Sequence, residues 1–248
     1  MMKKSLAFTL GEILIALGVI GVVASLVIPQ LINGQKAGEA RAQFDTAYTT
    51  LAKTIADMDA DNVPVLPANY TASQSLYPQL KKYSRVAIDC GNYSSGKNAS
   101  VCIGTGGGDT SGNADNYKIY NKKSNTKIYI SRLDDGGFVL NNGMMVAIEN
   151  PTLTTTKIDG VDVLAPLLIS VDINGKNRNP NRWGWDLFTF ALTDEGILPF
   201  GAPATHPTFS KNPAAYCDPN GNGNQNGITC AYYAATNRDY FKELYKGH

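Results

Sequence analysis

The stretch from Phe8 to Ile32 reads "FTLGEILIALGVIGVVASLVIPQLI" and decides the fold. It is almost wholly apolar, and as an α-helix rising about 1.5 Å per residue it can cross about 30 Å of hydrocarbon. Glu12 is its only charge. A carboxylate inside such a run costs roughly 2.5–3.5 kcal/mol on insertion scales, so a plain anchor gains nothing from it. Lys3 and Lys4 stand immediately before the run. By the positive-inside rule they place the N-terminus in the cytoplasm and everything after residue 32 on the other side. A cleaved secretory signal fits poorly, because its apolar core spans about 7–15 residues and ends at a small-x-small cut. Here the apolar run continues without a polar break to Leu31.

Beyond the run the apolar pattern resumes, so Pro29 is expected to kink a helix rather than end it. Phe44, Tyr48, Leu51, Ile55 and Met58 recur at steps of four, three, four and three, with Glu39, Gln43, Lys53 and Asp57 opposite. That is one face of an amphipathic helix. "NVPVLP", Asn62–Pro67, stops it. The reading is one helix over 8–61, membrane-spanning over 8–32, with its second half laid on a domain formed by 62–248. Two helices parted at "NGQKAG", Asn33–Gly38, are the alternative, since two glycines weaken helix propensity there.

The remainder is rich in Gly, Asn, Ser and Thr with short β-type runs. "YPQLKKY" (77–83) suggests a helical turn. "TKIYISRL" and "FVLNNGMMVAIE" alternate like a hairpin, "APLLISVDI" is a buried strand, and "WDLFTFALT" alternates around Phe188 and Phe190 before the turn "DEG". The expected class is α+β: a long N-terminal helix packed on a C-terminal antiparallel sheet.

At its head the chain resembles the type IV pilin superfamily, which includes the pseudopilins of type II secretion. The likeness rests on the short basic leader (1–7), the small residue Ala7, and the run quoted above with Glu12 and Pro29 in place. It implies that a prepilin peptidase cuts between Ala7 and Phe8 on the cytoplasmic side and that the new amine is methylated. Glu12 then becomes the fifth mature residue and, in this family, meets the amine of a neighbouring subunit during assembly. Two positions depart from the pattern: Ala7 where Gly is usual, and Gly11 where a larger residue is usual. The implied partners are like subunits and other pilins, the peptidase, an inner-membrane assembly platform and membrane lipid. The implied location is the bacterial inner membrane, single-pass, with the globular domain extracytoplasmic. Surface pilus and secretion pseudopilus share all these features.

"VDINGKNRNPNRWGWDLFTF", Val171–Phe190, resembles a D-x-N-G … P-N-x-x-G-x-D-x-F segment of pilin-like globular domains. Asp172, Asn174 and Asp186 offer oxygen ligands, and some pseudopilins hold calcium in such a loop. Lys176, however, stands where a third oxygen is needed, and no glutamate closes the loop. A structural turn, with Asp and Asn bonding their own backbone and Gly175 at positive φ, is the reading preferred.

The rest of the sequence narrows the function classes. The 22 Lys and Arg are scattered and matched by 21 acids, giving net charge +1 and no clear nucleic-acid site. Behind an export signal, Cys90, Cys102, Cys217 and Cys230 read as two disulfides. We expect the local couples Cys90–Cys102 and Cys217–Cys230, one of three connectivities, closing loops with almost no apolar residues. The loop "GTGGGDTSGN", Gly104–Asn113, lacks the Lys-Ser/Thr of a phosphate loop, and no cofactor is expected. Asp134 and Asp135 read as turn formers, His206 as a solvated loop residue, and the serines lack a nucleophile elbow, so no enzyme is expected. The alternative from another class is an anchored binding protein that never polymerises. Its ligand contacts would be Trp183, Trp185 and the C-terminal tyrosines Tyr216, Tyr232, Tyr233 and Tyr240, which would also suit adhesion.

Overall fold

Helix α1 runs unbroken from Leu10 to Ala60, through Pro29, Gly34 and Gly38. The break allowed at Asn33–Gly38 does not occur. The computed structural model describes residues 9–92, 100–103, 113–152 and 154–246. The expected processing site, Ala7 and Phe8, and nearly all of the glycine-rich loop therefore lie outside the described residues.

The two halves of α1 differ in burial. Every residue from Leu10 to Ile32 except Ala24 is exposed. Further on, Ala37, Ala40, Phe44, Ala47, Leu51, Thr54, Ile55 and Met58 are buried along one face. Ala37 and Ala40 extend the face expected from Phe44 back by two turns, and Ala47 fills it between Phe44 and Leu51. Tyr48 is partly buried and stacks on Phe190 with ring centroids 5.4 Å apart.

The sheet that receives α1 has six antiparallel strands, in the order β1 (Val86–Gly91), β4 (Gly137–Leu140), β5 (Met145–Glu149), β8 (Leu167–Asp172), β9 (Leu187–Thr193) and β10 (Gly196–Pro199). Two hairpins are inserted: β2 (Asn113–Lys118) with β3 (Lys127–Tyr129), and β6 (Thr155–Ile158) with β7 (Val161–Leu164). Short helices complete the domain: α2 (Leu76–Tyr83), α3 (Pro207–Ser210), α4 (Cys230–Thr236) and α5 (Tyr240–Tyr245). The chain is thus α+β, a long N-terminal helix packed on an antiparallel sheet.

Both faces of this sheet are covered. Phe138, Val146, Ile169, Phe188 and Phe190 share a core with α1, α2, α4 and α5. Phe44 of α1 is the hub, with its ring 4.9 Å from Phe188 and 5.9 Å from Phe241. On the other face Val139, Met145, Leu168, Leu187 and Ala191 pack with Tyr117, Ile119, Ile128, Trp183, Phe200 and Phe209. Double coverage is why β8 and β9 are buried at every position instead of alternating.

Two pairings differ from the sequence pattern. "FVLNNGMMVAIE" folds on itself as the β4–β5 hairpin, with the Leu140 N–H donating to the Met144 carbonyl at 2.8 Å. "TKIYISRL" contributes only β3, which pairs with β2 and passes into a 3₁₀ turn at Ile130–Arg132. His206 is half-buried, not solvated: its Nδ1 accepts from the Thr208 N–H at 3.3 Å and caps α3.

Candidate functional site

At the head of α1, Thr9 is the N-cap. Its N–H and its hydroxyl both donate to Glu12 Oε2, at 2.8 and 2.9 Å, and the Glu12 N–H donates back to Thr9 Oγ1 at 3.2 Å. This is a capping box, and its T-x-x-E signature was legible in the sequence. Gly11, Gly18 and Ser25 follow at seven-residue steps along one side of the exposed half. A Cβ at Gly18 would meet nothing within 4 Å, and at Gly11 only Thr9 Oγ1 at 4.0 Å. Nothing within one chain therefore demands glycine there. Helix α1 continues through Pro29, which cannot donate to the Ser25 carbonyl.

Where α1 enters the domain, Arg41 fixes it to the C-terminal helices. Its guanidinium donates to the carbonyls of Ala234 and Asn237 (2.7 Å for the latter) at the end of α4, and lies 4.8 Å from the centroid of Phe241. Beside this contact a groove of about 390 Å³ opens between Lys36, Glu39 and Gln43 of α1, Arg178–Pro180, and Trp185 with Tyr245. A second, of about 780 Å³, lies between the Ser25–Ala37 segment of α1 and Lys242 and Lys246.

The structure brings Asp172, Asn174 and Asp186 together and occupies both carboxylates, while Asn174 Oδ1 is buried without a hydrogen-bond partner among the described residues. Asp172 accepts from the Tyr117 hydroxyl and from the N–H groups of Asn174 and Gly175, at 3.2 and 2.9 Å. Asp186 accepts from the N–H groups of Asn181 and Arg182, both at 2.7 Å. Burial, and for Asp186 also the neighbouring Asp172, raises both carboxyls above their ordinary range. Arg182 is buried with its guanidinium on the carbonyls of Ile119 (2.9 Å), Asn121 (2.9 Å) and Ser124 (3.1 Å). A calcium ion would have to displace the N–H donors, whereas as it stands the cluster clamps the 172–186 loop between β8 and β9.

Sequence reading missed a second acidic group. Asp134, Asp135 and Glu149 each present an oxygen within 4.8 Å of the others, so a shared proton or a cation could bridge them. Asp135 accepts from the Asn150 N–H at 2.8 Å, and Arg132 lies 3.7 Å from Glu149. Burial, with the neighbouring carboxylates and against Arg132, pushes Glu149 up to about 9, and burial with Asp135 pushes Asp134 up to about 6.

Trp183 and Trp185 do not face the same side. Gly184, at φ +76°, turns the chain between them, and a Cβ there would lie 2.6 Å from Tyr120 Cδ2 and 2.7 Å from Cys230 Sγ. Trp183 is fully buried and donates to Thr189 Oγ1 at 3.1 Å, while Trp185 is 7% exposed and donates to the Tyr120 carbonyl at 3.0 Å. Tyr240 is buried with its hydroxyl on the Gly184 carbonyl at 2.7 Å, and Tyr216, Tyr232 and Tyr233 are half-buried. A ligand platform built from both tryptophans is excluded by this packing.

Cys90 is bonded to Cys102 and Cys217 to Cys230, with Cα atoms 5.7 and 5.1 Å apart. The second loop has more than covalent closure. Asn226, 3% exposed, accepts from the Asp218 N–H at 2.9 Å and donates to the carbonyls of Asp218 and Gly221 at 2.8 and 2.9 Å. The exposed apolar helix gives the chain a membrane anchor, and two disulfides fit an oxidising, extracytoplasmic compartment. No family model, curated protein or solved structure matches the chain.

Proposed function

We propose that this protein is a structural subunit of a type IV pilus or type II secretion pseudopilus, assembling through the first half of α1. The observation that carries the reading is the division of one helix. Residues 37–58 supply a buried face to the domain, while Leu10–Ile32 are left uncovered by their own chain. A bare apolar helix of this length is stable in lipid or in a bundle of like helices. The small residues Gly11, Gly18 and Ser25 suit close helix approach, and Glu12 is the one charge able to meet a neighbour's amine. Inside a low-dielectric core, that pairing offsets a desolvation cost which a wrong register leaves in place. The domain then decorates the filament, and an assembly platform with its energy source drives extension.

The test is intact-mass measurement on protein extracted from host membranes, joined to imaging of the sheared surface fraction and of the periplasm with labelled protein. The reading expects a chain that begins at a methylated Phe8 and is found in filaments. A mature chain beginning after about residue 25 would mark a secretory signal and sink the reading.

A further inference from the structure

We infer that the basic grooves at the junction of α1 with the domain bind the phosphate of an anionic phospholipid, seating the domain on the membrane surface. The inference needs only the membrane anchor and stands whether or not the chain polymerises.

Position comes first. Lys36 is four residues beyond Ile32, about 6 Å along the helix, and the headgroup layer adds about 5–7 Å beyond the hydrocarbon. The second groove reaches further down, setting Lys242 and Lys246 beside Ser25, Leu26 and Pro29, the last turns of the apolar run. The packing of α5 on α1 therefore holds these lysines against the domain-side end of the apolar run, from which their long side chains can snorkel outward to the headgroups.

Charge comes second. In a chain of net charge +1, the two grooves are lined by Lys36, Lys122, Arg178, Lys242 and Lys246 against one acid, Glu39. Asp239, 2.8 Å from Lys242, offsets part of this charge. Arg178 presents a planar fork that matches phosphate oxygens, while the lysines supply point charge around it.

Aromatic side chains come third. Trp185 and Tyr245 line the same groove edge-to-face, with centroids 5.7 Å apart, and Lys122 Nζ lies 5.6 Å from the Trp185 ring. Half-buried Tyr245 is the amphipathic ring that this groove offers to the membrane–water interface, with Trp185, 7% exposed, packed behind it. An acidic protein partner would find the same charge but has no reason to sit beside the final turns of a membrane span.

Full-length protein reconstituted into phosphatidylcholine vesicles gives the test. Energy transfer is measured from Trp183 and Trp185 to a trace of pyrene-acyl phosphatidylglycerol, and to the same probe on phosphatidylcholine. The expected result is a several-fold preference for phosphatidylglycerol, falling to near parity in Lys36→Gln/Arg178→Gln/Lys246→Gln, which removes three of the five cations lining the grooves. The control Lys53→Gln/Lys157→Gln/Lys211→Gln, exposed cations away from the junction, should keep the preference. Equal transfer to both probes in the native chain, or an undiminished preference in the junction variant, would overturn the inference. Loss of the preference with 10 mM inorganic phosphate at fixed ionic strength would make the groove a soluble-anion site and overturn it equally.

Discussion

Thr9 and Glu12 close a reciprocal cap at the head of α1, so the one carboxylate in the apolar run already has a partner within its own chain. The cap uses the side-chain oxygen as an acceptor, whereas pairing with an amine needs its charge. A capping box accepts Gln in place of Glu, so these two roles come apart in a single substitution. Thr9→Ala removes the cap and keeps the charge. It should fray the first turn at a cost of about 1 kcal/mol and leave filament entry largely intact, as judged by hydrogen exchange and by sheared yield. Sheared yield falling as far as in a charge-removing variant would show that the cap is the essential role.

The Cys217–Cys230 loop should survive loss of its bridge in part. Replacing both cysteines by Ser should cost about 3 kcal/mol, from the chain entropy of a loop of about a dozen residues. Asn226→Ala should cost a further 1–3 kcal/mol, because it strands the backbone groups of Asp218 and Gly221. Amide exchange at 218–226 reports the result. Complete exposure of the loop in the Ser variant alone would mean that Asn226 holds nothing.

Arg182→Lys should destabilise the domain by about 2–4 kcal/mol in denaturant titration. A lysine cannot reach the carbonyls of Ile119, Asn121 and Ser124 with a fork, and a buried cation left short of partners is costly. A change within about 0.5 kcal/mol, the range of an ordinary surface substitution, would show that the loop does not depend on this clamp.

Stability should fall as pH rises from 5 to 8. Burial and mutual repulsion hold Glu149 up at about 9 and Asp134 at about 6, while the unfolded chain gives up these protons near pH 4. The folded state binds more protons across this window. The contribution of these two carboxyls is full below about pH 4 and is lost as pH rises through 6 and then 9, on the order of 1 kcal/mol per pH unit. Asp89 acts at the other end. Against its own burial, hydrogen bonds from Tyr77, Lys81 and the Gly91 N–H hold its carboxyl down at about 2, so its contribution is lost only as pH falls through that value. Unfolding midpoints at pH 5 and 8 should differ in the native chain, and the difference should shrink in Glu149→Gln, with Asp134, Asp172 and Asp186 carrying the remainder. Equal midpoints in the native chain would refute the assignment.

Much of the architecture was legible because burial wrote it into the sequence. The apolar run, the four–three repeat from Phe44 to Met58, and the strands around Ile169 and Phe188 all follow from which faces meet water. Ala37, Ala40 and Ala47 escaped because alanine marks neither face. The β2–β3 pairing escaped because alternation names no partner. Two local signals were present and unread: the T-x-x-E cap, and Asp159-Gly160, whose positive φ values of 52° and 82° turn the β6–β7 hairpin. The Asp134–Asp135–Glu149 cluster joins two segments that only sheet register brings together. In the Asp172–Asp186 loop the turn chemistry of Asp, Asn and Gly was readable, but the Tyr117 and Arg182 clamps were not.

The most direct test of the filament account is Glu12→Gln in a strain lacking other copies of the subunit. Gln preserves the cap with Thr9 and the fold of the domain, and removes only the charge proposed to meet a neighbour's amine. Sheared or imaged filaments are counted beside the membrane pool of processed, disulfide-bonded protein. The account predicts a full membrane pool and few filaments, with Glu12→Asp intermediate. Filaments at native abundance from Glu12→Gln would contradict it and leave Glu12 as a helix cap alone.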